Sequence, residues 1–266
     1  MRQMETIGLV AAMSQERDAL LRRVGGWKKI ALGPFHGHCF KLLRQTCVLV
    51  TSGMGIRRAR EATRCLVEMA TPQVLVSFGI AGAVETDLEI GDVVAAESVC
   101  LLEQGALGPL LPLATWPDAA RETIVQALTE RYARLYAGTA VTTRGSQFVE
   151  YQPGEMAHPV LEMETAGIAQ VAAEKGIPLL SLRAISDGPR APLPFNLGEM
   201  MDEDANLRVG KMLKFVICHP GIVLQAQQLM RNTSIATDNA AIALIAALSQ
   251  PAIEQPCGKP PDYAAR

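Results

Sequence analysis

Apolar residues in this chain fall into short unbroken runs, each followed by a turn and then by a stretch of helical periodicity. A continuous apolar run bounded by turn residues marks a strand buried on both faces. Ile7-Gly-Leu-Val-Ala-Ala12 is the first, and Ser14 with the Gln-Glu-Arg-Asp-Ala-Leu-Leu that follows reads as a cap and the opening turns of a helix. Alternation between Ile30 and Val50 predicts a hairpin ending in the strand Cys47–Thr51, after which Ser52-Gly-Met-Gly55 turns the chain into a helix from Ile56 to Met69. Val74–Phe78 is the next buried strand, followed by the glycine turn Gly79-Ile-Ala-Gly82, and Leu88–Val94 leads into another. Ala119–Leu135 is helical in pattern, Gly138–Thr143 strand-like, Ala166–Lys175 helical, and Ile177–Ile185 a strand with Pro178 near its start, where a missing N–H is tolerated. Val209–Cys218 and Ile222–Met230 read as helices separated by His219-Pro-Gly. Strands alternating with helices predict an α/β domain whose parallel or mixed sheet is covered on both faces.

Two carboxylates stand out against this frame. Glu164 comes just before the Ala166–Lys175 helix, and Asp187 just after the Ile177–Ile185 strand. In α/β sheets ligands collect at the carboxyl ends of strands, so Ser186-Asp187-Gly188-Pro189 is positioned to face a cleft, and Asp187 is the first catalytic candidate. An Asp ahead of Gly-Pro also serves simply to close a turn, and the residues alone leave that alternative open.

Composition narrows the classes. The chain has 266 residues, 49% of them hydrophobic, enough for one large core. Lys and Arg number 25 against 27 Asp and Glu, a formal net charge of −2 with no basic run, so the electrostatic footprint of a nucleic-acid binder is missing and a small, weakly charged ligand fits better. Six cysteines (Cys39, Cys47, Cys65, Cys100, Cys218, Cys257) lack CxxC spacing and suit reduced thiols better than a disulfide framework or a zinc site; no metal is implied. His36 and His38 form an HxH without an acidic or histidine partner nearby, which reads as a surface hairpin. The N-terminal apolar run is shorter than the roughly 7–15 residues of an export signal, so a cytoplasmic location is expected. No apolar stretch approaches the roughly 18 residues of a membrane span, which leaves room only for a peripheral membrane contact. Residues 250–266 carry prolines and polar residues with little to bury and read as a flexible tail.

Several segments in order then resemble the nucleoside phosphorylase and nucleosidase superfamily, especially its methylthioadenosine/S-adenosylhomocysteine nucleosidases. Ile7–Met13 with Glu16 resembles the opening strand and its glutamate, Ser52-Gly-Met-Gly55 the second glycine turn, and Gly79-Ile-Ala-Gly82 with Leu88–Val94 the central turn and next strand. Most specific is Glu162-Met163-Glu164 together with Arg183-Ala-Ile-Ser-Asp187. The resemblance covers roughly residues 5 to 215. It implies a single-domain, three-layer nucleoside phosphorylase-like α/β fold with a central mixed, partly barrel-like sheet flanked by helices. Residues 1–215 would form that domain, 216–249 a C-terminal helical extension, and a homodimer is the usual assembly.

The resemblance also implies cleavage of a ribosyl C–N bond without a cofactor, and that reaction explains the residue types. A purine leaves badly as an anion, so an acid must protonate it in the transition state, and a carboxylic acid with a raised pKa can do so; by resemblance this is Asp187, with Ser186 beside it. The sugar becomes oxocarbenium-like, and hydrogen bonds to its hydroxyls that tighten there lower the barrier. Glu164 takes that place, with Glu162 and Met163 alongside. Glu16 matches the carboxylate that orients water, although a Glu in a first helical turn is also favoured by the helix dipole alone. Phe148 and Val149 match the base-stacking aromatic and its neighbour, and Met13 and Ile80 line the same site. Phosphorylases of the superfamily carry Arg and Ser or Thr where this chain has Ser77 and Ile80, so phosphate loses both anchors. Ile80 also departs from the nucleosidases, and the Gly-Ile-Ala-Gly form with the C-terminal extension resembles the hopanoid-associated phosphorylase branch, whose implied substrate is adenosylhopane. Hydrolysis of a 5′-substituted adenine nucleoside, phosphorolysis on the same fold, and a non-catalytic nucleoside-binding protein are the three readings left standing.

Overall fold

Apolar side chains project alternately to the two sides of each central strand, and this dictates the layering. In a computed structural model, which describes residues 5–144, 156–191 and 222–249, β1 (Thr6–Ala11) sends Ile7, Leu9 and Ala11 into one core and Val10 into another, while β4 (Gln45–Thr51) divides Cys47 and Leu49 from Val48 and Val50 in the same way. A strand with no polar face must be covered on both sides. The first core is closed by α1 (Ser14–Leu21), α3 (Asp118–Thr129) and α5 (Ile222–Leu248), and the second by α2 (Ile56–Ala70) and α4 (Thr165–Lys175). In α2 the buried positions Ala59, Ala62, Thr63, Leu66 and Val67 form one helical stripe, and in α5 Ala236, Ala240, Ala243, Leu244 and Ala247 do so. The small residues of α5 let it settle against β5 (Val74–Ala83) and β11 (Leu179–Asp187).

The remaining strands are β2 (Lys28–Leu32), β3 (Phe35–Leu42), β6 (Val93–Glu103), the short β7 (Ala106–Leu107) and β8 (Leu111–Pro112), β9 (Leu135–Thr143) and β10 (Pro159–Glu162). Their order is β10-β9-β6-β11-β5-β1-β4-β3-β2, with β7 and β8 paired to β6. β1, β4, β5 and β11 run parallel, whereas β2, β3 and β4 form an antiparallel meander. The end of β5 also pairs with β10, Leu161 opposite Gly82 and Val160 opposite Ala83, so β5, β11, β6, β9 and β10 close on themselves. The expected three-layer fold with a mixed, partly barrel-like sheet is therefore present. Gly79–Gly82, read from the sequence as a turn, instead continues β5, and closure sets Gly82 opposite Leu161 of β10, beside Glu162 at the end of that strand and two residues before Glu164.

Boundaries depart from the sequence reading in four further places. The helix expected over Ala119–Leu135 stops at Thr129: Tyr132 takes a left-handed φ of 55°, the Arg134 amide donates to Asp92 Oδ1 (2.8 Å), and Leu135 already starts β9. Met13, not Ser14, is the N-cap of α1. The last strand is shifted, because the Ile177 amide still finishes α4 by bonding to Ala172 O (2.9 Å), so β11 begins at Leu179. The helix expected over Ile222–Met230 runs on to Leu248 as one element of 27 residues whose second half belongs to the main core. Val209–Cys218 and the tail 250–266 lie outside the described residues, as do Phe148 and Val149. Among the described residues no helix is long and apolar enough to cross a membrane.

Candidate active site

Glu16 stands in the first turn of α1, immediately beyond β1. Its carboxylate is buried and accepts two backbone bonds, Oε2 from the Met13 amide (2.8 Å) and Oε1 from the Ile80 amide (2.9 Å). The first bond caps α1; the second ties the helix to β5, 64 residues away in sequence. The approach requires Gly79, since a Cβ there would overlap the Glu16 carboxylate and come within 2.8 Å of Arg183 Nη1. Met13 and Ile80 are thus brought to Glu16 by their backbones, while their side chains remain half-buried. Burial pushes the Glu16 pKa up, opposed by the Arg183 charge and by the backbone donors.

Glu164 is the N-cap of α4 and is also buried. Its Oε1 accepts from the Gly55 amide (2.9 Å), and Oε2 lies 3.3 Å from the Met163 amide. Gly55 ends the glycine turn with a φ of 96°, a conformation that side chains rarely adopt, and this turns its N–H toward α4. Desolvation, followed by the neighbouring Glu162 charge, raises the Glu164 pKa to about 8; Arg183 works against the shift, and Glu16 adds to it. Glu16 and Glu164 therefore feel one another across a single guanidinium.

That guanidinium belongs to Arg183, which is 1% exposed in the middle of β11. Its Nη2 donates to Glu162 Oε2 (2.8 Å), Ser77 Oγ (2.6 Å) and Thr165 Oγ1 (2.9 Å), while Nε has no hydrogen-bond partner among the described residues. Glu162, expected at the sugar, has both oxygens engaged by the protein. Thr142 Oγ1 donates to Oε1, and Oε2 accepts from Arg183, from Thr165 Oγ1 (2.8 Å) and from the amides of Glu164 (3.0 Å) and Thr165 (2.8 Å). Its lone pairs cap α4 and neutralise Arg183, so it stands behind Glu164 rather than beside it as a second ligand. Met163, between the two acids, is buried.

Asp187 ends β11, four residues beyond Arg183 on the same strand. A bulge between Ile185 and Asp187 brings it opposite Gly82 and re-aims its side chain. Ser186 Oγ donates to Asp187 Oδ1 (2.6 Å), and Oδ2 lies so close to Gly82 that a Cβ there would sit 2.8 Å away. Burial raises the Asp187 pKa, and the Ser186 bond only partly offsets it. The structure thus gathers Glu16, Glu162 and Glu164 around Arg183 and sets Asp187 at the far end of the same stretch of β5, opposite Gly82 rather than Gly79.

Thr142 and Thr165 were not picked from the sequence, and Arg183 and Ser77 were named there without the roles they have in this cluster. A charge inside the apolar run Ile177–Ile185 was the available signal for Arg183, because a buried cation must be paired. The amide donors of Gly55 and Ile80 carry no side-chain signature at all.

A family model described as the phosphorylase superfamily matches residues 6–217. The 5′-methylthioadenosine/S-adenosylhomocysteine nucleosidase of Staphylococcus epidermidis is 25% identical to this chain over 213 residues, 75% of this chain and 93% of that protein. Among solved structures, the corresponding nucleosidase of Neisseria meningitidis, in complex with methylthio-immucillin-A, aligns with a TM-score of 0.64 and 21% identity, covering 92% of this chain and 99% of that one. Futalosine hydrolase of Helicobacter pylori aligns with a TM-score of 0.64 and 19% identity, covering 92% and 97%.

Proposed function

Because the chain belongs to the phosphorylase superfamily and is an enzyme of it, an N-glycosidase or pentosyltransferase, we propose that it hydrolyses the N-ribosidic bond of an adenine nucleoside carrying an apolar or thioether group at the 5′ position. The observation that carries this reading is the pair of buried carboxylates, Glu16 and Glu164, held by backbone amides on either side of Arg183, with a third raised-pKa acid, Asp187, farther along the same strand end.

Each acid has a chemical task for which its surroundings suit it. Asp187, its pKa raised by burial, keeps a proton to deliver to the departing adenine, and Ser186 fixes its orientation through Oδ1. Glu16 orients and deprotonates water; its raised pKa makes it a stronger base than a free carboxylate, and Arg183 keeps it ionisable. The backbone positions that Glu16 and Asp187 meet on β5, Ile80 and Gly82, are two residues apart, roughly 7 Å. The sugar carbon would lie along this stretch, with water on the Glu16 side and the leaving base on the Asp187 side. Glu164 accepts the ribose hydroxyls, and those bonds tighten as the sugar becomes cationic. Ser77 and Ile80 in place of the phosphorylase anchors support water as acceptor, and the names of the relatives point the same way. 5′-Methylthioadenosine in phosphate-free buffer tests the proposal: free adenine is expected, and a strict requirement for phosphate would overturn it.

Glu164 also yields a stability prediction. Its folded pKa of about 8 lies above the ordinary 4.5, so the folded chain holds a proton that the unfolded chain releases between those values. The contribution of Glu164 to stability is then fullest below about pH 4.5 and declines as pH rises toward 8. Glu164→Gln is expected to remove that decline, gaining about 1–3 kcal/mol at pH 8 and little at pH 4 in urea unfolding, while activity falls. Equal effects at both pH values would show that Glu164 is not held protonated by burial.

A further inference from the structure

On the α1 side of the meander, away from the carboxylate cluster, a groove of about 590 Å³ opens between α1 and the β2–β3 hairpin. Arg17 and Arg22 line it from α1, Trp27 and Lys29 from the chain entering β2, and His36 and His38 from β3. Its volume falls in the range of small-molecule sites.

Two features point to what it takes. The first is charge: three cations line the groove against one acid, Asp18, whose carboxylate is engaged by Arg17 at 2.7 Å. Arg22 reaches Asp238 at 3.3 Å yet leaves its side chain 61% exposed, and Lys29 forms no ion pair among the described residues. The second is Trp27, 40% exposed, which meets the His38 ring edge-on at 5.2 Å. A large indole left in water beside a cavity offers a flat stacking surface.

We infer that this groove is a second binding site, for a small molecule that joins a flat aromatic ring to an anionic group. The ring stacks on Trp27, and the anion lies between Lys29 and Arg22. Residues of α1 face both sites: Glu16 enters the carboxylate cluster and the adjacent Arg17 enters the groove.

Isothermal titration with 1-naphthyl phosphate tests the inference, with 1-naphthoate, 1-naphthalenemethanol and inorganic phosphate as comparisons. One saturable site per chain is expected for at least one of the two aromatic anions, which also decides between phosphate and carboxylate. The neutral alcohol and inorganic phosphate should each bind at least about tenfold more weakly. Lys29→Glu and Trp27→Leu, both at exposed positions, should each weaken binding by about tenfold or more, whereas Asp187→Asn should leave it unchanged. Absence of saturable binding, indifference to Lys29→Glu, or loss of binding in Asp187→Asn would each overturn the inference.

Discussion

Asp187→Asn is expected to lower kcat/KM for adenine release by about 10²–10⁴-fold, the range over which a positioned general acid contributes. Asn keeps the size and the acceptor for Ser186 Oγ, so the loss is of the proton and not of the fold. The sign of the pH dependence follows from burial. The folded pKa of Asp187 is raised, so the acid form persists above the ordinary carboxylate range, and kcat/KM falls as pH climbs through that raised value. In Asp187→Asn the alkaline fall should disappear along with most of the rate. Stability should not suffer, because a carboxylate that burial disfavours has been replaced by a neutral amide. A variant that retains wild-type rate would remove Asp187 from the chemistry and leave it as the turn-closing Asp that the sequence also allowed.

Arg183→Met is the second large effect, and it falls first on the fold. Removing the guanidinium strands the Glu162 carboxylate among Thr142, Thr165 and the start of α4 with no countercharge, a loss of about 3–5 kcal/mol in equilibrium unfolding. Arg183 also opposes the raised pKa values of Glu16 and Glu164, so without it both rise further and the acidic limb of the kcat/KM profile moves to higher pH. Arg183→Met with Glu162→Gln should recover part of the stability without restoring the pH profile. If the single variant loses under about 1 kcal/mol, the ion pair is not what holds the cluster.

The strands were legible because a buried parallel sheet writes itself as unbroken apolar runs, and Ile7–Ala12, Cys47–Thr51 and Val74–Phe78 lie inside the observed strands or within one residue of them. What periodicity could not show was where tertiary bonds interrupt a pattern. Thr129–Leu135 continues a helical spacing, yet the Arg134 amide is claimed by Asp92, and the chain turns. The middle of α5, Asn232-Thr-Ser234, has weak helix propensity, and its continuation to Leu248 follows from packing against β5, β11, α1 and α3. At the site, Glu164 and Asp187 could be named from their places at the start of a helix and the end of a strand, and Glu16 from the family resemblance. Their mutual arrangement could not, because it depends on the closure of β10 onto β5 and on amides of Ile80 and Gly55 that any residue would present. Glu162 illustrates the limit: two residues before Glu164, it serves as the countercharge of an arginine 21 residues on.

The account rests on water, activated by Glu16, being the group that attacks the sugar. Adenine release from 5′-methylthioadenosine in phosphate-free H₂¹⁸O, with the sugar product examined by mass spectrometry immediately after turnover and against a no-enzyme control for exchange, tests this most directly. The account predicts one ¹⁸O at the anomeric carbon in the wild type, formed at a rate that collapses in Glu16→Gln. Turnover only on addition of phosphate, with a sugar 1-phosphate as the product, would contradict it.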